Sequence, residues 1–263
     1  MTTESAAPPG IPAATLVLVR DQDAQPPQLL MIERAAKMAF AAGAMVFPGG
    51  RIDPGDHAIA ADGALLRGGE SADIEERAAR IGAIRETIEE VGVAVGLDPV
   101  PTPELLAALR QELAEGADFG ALLATHGLRL DLDRLTPFAR WLPLATEAIA
   151  RRFDTRFYVA APPPDAEISA DGSESTHALW VTAASVLEDA ESGARRVIFP
   201  TRRNLERLAR FGSHAEVVAH AACHPVDTIT PWIEEREGTQ WVCIPADRGY
   251  PVTSELYATA LRG

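Results

Sequence analysis

The chain has 263 residues, of which 47% are apolar and 24% are charged, a balance typical of a globular protein and not of a disordered one. Its formal net charge of −14, without any long Lys/Arg run, excludes general nucleic-acid binding, which needs a basic face. Cys223 and Cys243 are too few to form a disulfide framework, and we expect two buried or idle thiols in a reducing compartment.

Membrane and secretory locations are not predicted. No apolar run approaches the ~20 residues of a membrane span. Residues 1–12, MTTESAAPPGIP, have neither a basic n-region nor an apolar h-region, so they predict a disordered tail and not a secretory signal. The default location is the cytoplasm, and residues 13–263 are expected to form a single domain.

The first predicted elements are two strands, 13–20 and 29–34, which form a hairpin because only a polar turn separates them. A third short strand is predicted at 44–47 and ends at a Gly-rich turn. Residues 51–70 are expected to be a loop, because Pro54-Gly55 and Gly68-Gly69 interrupt any regular helix or strand.

A long helix follows over 72–91, with Ser71 as its N-cap and Gly92 as its stop. The next block, 98–150, is predicted to be mainly helical, and its clearest apolar stripe lies at 104–114. We expect this block to cover the active site or to form a homodimer interface.

The C-terminal half alternates strands and helices. Strands are predicted at 153–161 and 177–181, and helices at 182–191, 201–210 and 214–222, the first two capped by threonines. Strands, a long helix, and then strands and helices again predict an α/β fold with a mixed sheet and helices on its faces.

The end of the 72–91 helix carries an acidic face. At 100° per residue, Glu86, Glu89 and Glu90 fall within about 100° of one another, and Gly82 lies on the same face. Three glutamates so placed can bind a metal ion, but a solvated acidic face is also common on surface helices, so geometry alone leaves both readings open. Gly82 removes a side chain there and lets a loop come close. The apolar residues on the opposite face are Ile81, Ile84, Ile88 and Val91.

Two segments carry a family resemblance. FPGGRIDPGD, residues 47–56, and RETIEEVGV, residues 85–93, resemble the Nudix box G-x5-E-x7-R-E-U-x-E-E-x-G-U, where U is a bulky aliphatic residue. Gly50 matches its first glycine. The second half of the box is matched by Arg85, Glu86, Glu89, Glu90, Gly92 and Val93.

The box departs from the family pattern in three ways. Asp56 stands where the family has a glutamate, and Thr87 stands where it usually has an aliphatic residue. Twenty-eight residues, 57–84, separate Asp56 from Arg85 instead of seven, which is an insertion of 21.

An interrupted box resembles one branch of the superfamily, the coenzyme A diphosphatases, which has a further signature before the box. Ala39 stands where that signature has its second arginine, and Ile32 where it has a threonine. The identity of the substrate is therefore not decided by the signature. The positions that fit the signature are Leu30, Arg34, Ala35, Gly43 and the segment 47–50.

The resemblance implies a Nudix-type α/β/α sandwich with a mixed sheet, insertions at about 57–77 and 98–150, and a helical C-terminal part. It also implies a pyrophosphohydrolase that uses Mg²⁺, with Mn²⁺ as the alternative, on a small nucleotide diphosphate. Coenzyme A or acyl-coenzyme A is the first substrate, ahead of ADP-ribose, NADH and dinucleotides. An inactive Nudix-fold ligand-binding or regulatory module and a helical interaction scaffold are the rival readings; the retained glutamates argue against the first, and the second leaves the acidic face unexplained.

The resemblance also assigns the catalytic residues. Glu86, Glu89 and Glu90 are the metal ligands, with Glu86 as a ligand or base, and Arg85 orients a glutamate through a charge-assisted hydrogen bond. Glu174, in a loop before the 177–181 strand, is the candidate general base, with a plain loop glutamate as the alternative.

Four residues are expected to contact the substrate. Arg34 ends a strand in the family signature, and Gly49 and Gly50 form the turn beside the acidic face. Arg156 belongs to the segment 151–156, which precedes a core strand and is expected to line the cleft, with structural ion pairing as its alternative role.

Overall fold

The computed structural model describes residues 10–35, 41–144, 152–164, 166–172 and 175–260. The strands are β1 Ile11–Gln22, β2 Gln25–Arg34, β3 Met45–Val46, β4 Gly49–Arg51, β5 Leu66–Arg67, β6 Leu97–Asp98, β7 Arg129–Asp131, β8 Thr136–Trp141, β9 Phe153–Ala160, β10 Ser175–Thr182, β11 Thr228–Ile229, β12 Trp232–Arg236, β13 Thr239–Cys243 and β14 Ser254–Leu256. The helices are α1 Pro54–Asp62, α2 Ile74–Val91, α3 Pro103–Ala114, α4 Phe119–Thr125, α5 Ala183–Ser192, α6 Phe199–Leu208, α7 His214–Ala222 and α8 Tyr257–Ala260, with a 3₁₀ turn at Leu132–Arg134.

A mixed sheet forms the centre, in the order β10-β2-β1-β9-β8-β11, with β3 paired to β2 and β4 paired to β1. β1 runs antiparallel to β2 and β4 but parallel to β9, which confirms the predicted hairpin and the mixed sheet. β1 begins at Ile11, two residues before the predicted start, and residues 1–9 of the predicted tail lie outside the described residues.

Alternation along β1 separates two cores, because successive side chains point to opposite faces of a sheet. Leu16 and Leu18 pack with the isoleucines of α2, whereas Val17 and Val19 pack with apolar residues of α5, α6 and α7. Helices therefore cover both faces of the sheet, as an α/β/α sandwich requires.

The block predicted to be mainly helical, 98–150, is helical only over its first part. α3 and α4 pack against the α2 core, and the small sheet β5-β7-β6 joins them there. β8 instead enters the main sheet beside β9, where Phe138 and Trp141 are buried and suit a strand. Residues 145–150 lie outside the described part of the chain.

The loop predicted at 51–70 contains a helix. Asp53 is the N-cap of α1, Pro54 occupies its first turn, and Gly63 ends it in a left-handed conformation, φ 72°. The Asp53 N–H donates to Asp56 Oδ2 at 2.9 Å. A proline after an aspartate suits the first helical position, so the prediction of a loop was wrong here.

The long helix was predicted over 72–91 and starts two residues later. Asp73, not Ser71, is its N-cap, and the Asp73 side chain accepts a hydrogen bond from the Glu76 N–H at 2.7 Å. Aspartate three residues before a glutamate is a good capping pair, which explains the choice. Gly92 ends the helix in a left-handed conformation, φ 70°, as predicted.

The C-terminal part keeps the predicted helices and adds a sheet. Thr182 caps α5 as expected, but Thr201 lies inside α6, which begins earlier because Pro200 is accommodated in its first turn. The sheet β12-β13-β14 was not predicted, since β12 is exposed along its length and shows no alternation. Within the described ranges, none of the helices is long and apolar enough to cross a membrane.

Candidate active site

The Gly-rich segment predicted as a turn is the start of strand β4, which lies under the acidic face of α2. β4 pairs with the start of β1, which places Gly49 and Gly50 beneath the end of the helix. The Gly49 N–H donates to Glu90 Oε2 at 2.8 Å. Gly50 lies so close to the Glu86 carboxylate that a Cβ on this residue would overlap it. The two glycines therefore let the backbone approach two of the three glutamates.

Asp56 and Arg85 meet across the insertion. The Arg85 Nε donates to Asp56 Oδ1 at 3.0 Å, and Nη2 donates to Asp56 Oδ2 at 3.0 Å. Asp56 is 1% exposed and Arg85 is 7% exposed. The shorter aspartate reaches the arginine because α1 presents it directly against α2.

Gly82 makes this approach possible. A Cβ on Gly82 would lie 3.0 Å from Asp56 Oδ2 and 3.7 Å from the Cα of Ile52. The sequence predicted that a loop would come close to the helix at this position, and the described chain does come close there, as the start of α1.

The Arg85 guanidinium uses all of its hydrogen-bonding capacity. Besides Asp56, Nη2 donates to the Arg51 carbonyl at 2.9 Å. Nη1 donates to Glu86 Oε1 at 3.0 Å and to Glu89 Oε1 at 2.9 Å. The five N–H groups of an arginine are thereby all engaged, and the side chain holds two of the predicted metal ligands.

Negative charge exceeds positive charge around Arg85. Its guanidinium forms ion pairs with Asp53, Asp56, Glu86 and Glu89, at 2.9 to 3.7 Å. Burial raises the pKa of Glu86 to about 7, and the Arg85 charge offsets this only in part. Burial lowers the pKa of Arg85, but the hydrogen bond to Asp56 and the charge of Glu86 outweigh it and leave that pKa raised.

The donor set suits a divalent cation, although the side chains are turned to protein partners. Among the residues that the structure describes, no three His, Cys, Asp or Glu side chains are grouped closely enough to hold a metal ion. Glu86 and Glu89 instead face Arg85, and Glu90 faces Gly49. The carboxylate oxygens are the hard ligands that Mg²⁺ prefers, and the excess negative charge is one that a cation would offset.

Arg34 lies on the same face of the sheet as α2. It is the last residue of β2, and its side chain follows Leu30 and Ile32, both in the α2 core, in the alternation of the strand. Its Nε is buried and makes no hydrogen bond within the described residues.

Arg156 lies at the other end of α2. Its Nε is 3.4 Å from Glu76 Oε2, and both residues line a cavity of about 430 Å³ with Arg80, Arg140 and Tyr158. Glu76 precedes Glu86 by ten residues, or roughly 15 Å along the helix axis. The structure therefore does not bring Arg156 against the glutamates. Glu174, the candidate base, lies outside the described residues, as does Ala39.

Sequence reasoning missed Arg110, which contacts the end of α2 from α3. Its Nε donates to the Glu89 carbonyl at 2.9 Å and its Nη2 to the Glu90 carbonyl at 2.8 Å. A signal was present: at 100° per residue, Arg110 falls beside Leu106 and Leu113 on the apolar stripe of α3. A cation in that position points toward the core and needs a partner there.

The chain resembles known Nudix proteins in sequence and in structure. No family model matches the chain. The acyl-coenzyme A diphosphatase NUDT19 of Xenopus laevis is 24% identical over 286 residues, 87% of this chain and 73% of the relative. A solved Nudix hydrolase from Alicyclobacillus acidocaldarius is 30% identical, with a TM-score of 0.69, over 82% of this chain and 97% of that chain.

These likenesses agree with the local geometry. The interrupted halves of the box come together in space, with Asp56 on Arg85 and Gly50 on Glu86. The 30% identity to the solved hydrolase extends over most of both chains, well beyond the box. The chain belongs to the Nudix hydrolase family.

Proposed function

We propose that this protein is a Mg²⁺-dependent pyrophosphohydrolase that cleaves the phosphoanhydride of coenzyme A or acyl-coenzyme A, with Mn²⁺ as an alternative metal. The contact between Asp56 and Arg85 carries the proposal, because it completes the box in spite of the insertion. A folded but inactive relative would have no need to keep that pair together with all three glutamates.

Glu86, Glu89 and Glu90 would hold the metal, which when bound supplies charge neutralisation at the phosphates. Arg85 orients Glu86 and Glu89 through Nη1, and the Gly49 N–H orients Glu90. The remaining task is to activate a water molecule, and we assign the general base to Glu174.

Coenzyme A is favoured as the substrate on two grounds. The relative from Xenopus laevis is named an acyl-coenzyme A diphosphatase, and Arg34, in the signature before the box, has a buried Nε that an anionic group can engage. A long substrate also suits the separation of roughly 15 Å between the glutamates and the cavity of Arg156.

ADP-ribose, NADH and dinucleotides form the second substrate group. Ala39 favours them, because the arginine expected there in the coenzyme A branch is missing.

A homodimer and a cytoplasmic location are further predictions. Light scattering tests the first, and cell fractionation tests the second.

The test is a substrate panel of coenzyme A, acyl-coenzyme A, ADP-ribose, NADH and dinucleotides with Mg²⁺, followed by product identification. We expect phosphoanhydride cleavage by the wild type and a loss on the order of 100-fold or more in Glu89→Gln and Glu90→Gln. Glu188→Gln, an exposed glutamate of α5, is the control and should be unaffected. No cleavage of any member by the wild type refutes the proposal, and full activity in both variants refutes the site.

The base has a separate test. Glu174→Gln should lower kcat by about 10²- to 10⁴-fold with little change in KM, because a base acts in the chemical step. Wild-type kcat in this variant removes Glu174 from the mechanism and leaves the metal site intact.

A further inference from the structure

Each of the last four carbonyl groups of α2 accepts a hydrogen bond. Three of these bonds come from two elements outside the box, helix α3 and the segment 166–172. The last four carbonyls of a helix have no partner within it. Ile88 O accepts from the Gly92 N–H at 3.0 Å, and Val91 O accepts from the Ser169 N–H at 3.3 Å. Glu89 O and Glu90 O accept from Arg110, at 2.9 and 2.8 Å.

Arg110 also forms hydrogen bonds with the segment 166–172. Its Nη1 donates to Ser169 Oγ at 2.6 Å, and its Nη2 donates to the Ser169 carbonyl at 2.8 Å. The Ser169 N–H in turn donates to the Val91 carbonyl. The Arg110 guanidinium and Ser169 together therefore attach the segment to the end of α2. The segment leads into β10 through Asp171, whose Oδ1 accepts from the Ser175 N–H at 2.8 Å.

We propose that Arg110 is a positioning residue for the metal ligands Glu89 and Glu90, and that it docks the segment 166–172 beside them. This inference rests on the proposed function and deepens it. It makes α3, in the insertion, a part of the catalytic apparatus and not a separate interaction module.

The chemistry of the contacts supports this role. Hydrogen bonds from a guanidinium are charge-assisted, and a cation is favourable at the C-terminal end of a helix dipole. The two carbonyls belong to the residues whose side chains are proposed to hold the metal, so the bonds restrict the backbone from which those side chains extend. Small displacements matter at such a site, because ligand groups must be held within roughly 0.5 Å of their working positions.

An arginine is needed for this geometry. Its planar fork presents donors to Glu89, Glu90 and Ser169 at the same time. A lysine at position 110 would keep the charge, but a single ammonium group cannot meet all of these acceptors. Arg110→Lys is therefore a variant that preserves charge and removes the geometry.

The experiment compares Arg110→Ala and Arg110→Lys with Arg134→Ala. Arg134 lies in the same insertion but is exposed and pairs only with nearby Asp131 among the described residues. Mn²⁺ affinity is measured by electron paramagnetic resonance, kcat and KM by the substrate assay, and exchange of the Ser169 amide by hydrogen–deuterium exchange.

We expect Arg110→Ala to weaken Mn²⁺ binding about 10-fold or more, to lower kcat more than it raises KM, and to speed Ser169 exchange. Arg110→Lys should weaken Mn²⁺ binding by a smaller factor, and Arg134→Ala should match the wild type. If Arg110→Ala does not fold, the same measurements on Arg110→Lys test the inference instead. Folded Arg110 variants with the Mn²⁺ affinity and kcat of Arg134→Ala overturn the inference, and a loss of thermal stability alone shows a purely structural role.

The two proposals fail in different ways. A wild type that cleaves nothing in the panel refutes the proposed function, whereas Mn²⁺ affinity and Ser169 exchange still report on Arg110. Normal wild-type activity with unchanged Mn²⁺ binding in both Arg110 variants refutes the positioning role alone.

Discussion

Asp56 and Arg85 form a two-point ion pair, with both N–O distances at 3.0 Å, although 28 residues separate them in the chain. The pair is buried, and breaking one partner of such a pair leaves an uncompensated charge. The Asp56 carboxylate also accepts from the Asp53 N–H, so it links the start of α1 to α2.

Asp56→Asn should lower the free energy of unfolding by about 3 kcal/mol, because Arg85 loses its most buried carboxylate partner. Activity should fall as well, since Arg85 also orients Glu86 and Glu89. The comparison is Asp227→Asn, which breaks an exposed pair with Arg248 and should cost less than about 1 kcal/mol. Equal unfolding midpoints in urea for the two variants would contradict this prediction.

Gly82→Ala should destabilise the protein, although alanine is the better helix former by about 1 kcal/mol. The new Cβ would lie 3.0 Å from Asp56 Oδ2 and push the carboxylate away from Arg85. Gly55→Ala, in α1, is the matched control because its Cβ would meet Asp118 Oδ2 at an ordinary 3.6 Å. Thermal melting of both variants measures the difference, and a Gly82→Ala protein as stable as Gly55→Ala would show that Asp56 can yield without cost.

Gly50→Ala should cost activity more than stability. The added Cβ would overlap the Glu86 carboxylate, which is the end of a flexible side chain and can turn away from the backbone. We expect kcat/KM to fall on the order of 100-fold, a loss of roughly 2.7 kcal/mol in transition-state stabilisation, and the free energy of unfolding to fall by only about 1 kcal/mol. Gly212→Ala, whose Cβ would lie 3.6 Å from Glu216, should keep full activity. A Gly50→Ala enzyme with full activity would show that Gly50 is not part of the site.

The sequence predicted the parts of this site that depend on local pattern. The helix and its two faces follow from the spacing of Ile84 and Glu86, and the stop at Gly92 follows from residue type. These features need only a few neighbouring residues to be decided. The ion pair of Asp56 depends on α1, which lies in a segment predicted to be a loop, so the pair could not be predicted from local pattern.

The parts that could not be predicted depend on long-range packing. Arg110 reaches the Glu89 carbonyl from 21 residues away in sequence, and no local pattern states which carbonyl an inward-pointing arginine will meet. The strands β12 to β14 are short, and β12 has no buried face, so neither hydrophobic period was visible. These strands pair with near neighbours in the chain, so the missing signal was a hydrophobic period and not a distant partner.

The partly buried glutamate of α6, Glu206, provides a pH test away from the active site. Burial raises the pKa of Glu206 from 4.5 to about 7, and the nearby charges of Arg203 and Arg202 offset this only in part. Between these two pH values the folded chain holds a proton that the unfolded chain releases. Stability contributed by this group is therefore present below about pH 4.5 and is lost as the pH rises toward about 7.

Glu206→Gln should consequently gain stability relative to the wild type as the pH rises, by on the order of 3 kcal/mol at most above pH 7. Urea unfolding at pH 5 and pH 8 measures the change, with Glu188→Gln as the exposed control. A difference between Glu206→Gln and wild type that is the same at both pH values would show that Glu206 is ionised throughout.

The connector between Asp56 and Arg85 has a consequence for how such chains vary. Loop entropy grows only with the logarithm of length, about 0.6 kcal/mol for each doubling, and only residues 63–73 of the connector lie outside α1 and α2. Each doubling costs less than the loss expected from breaking the buried pair, so the connector can lengthen without opening the contact. A tag or reporter domain grafted near Gly63, the C-cap of α1, should therefore be tolerated, and related chains are better recognised by two half-motifs with free spacing than by one motif of fixed length.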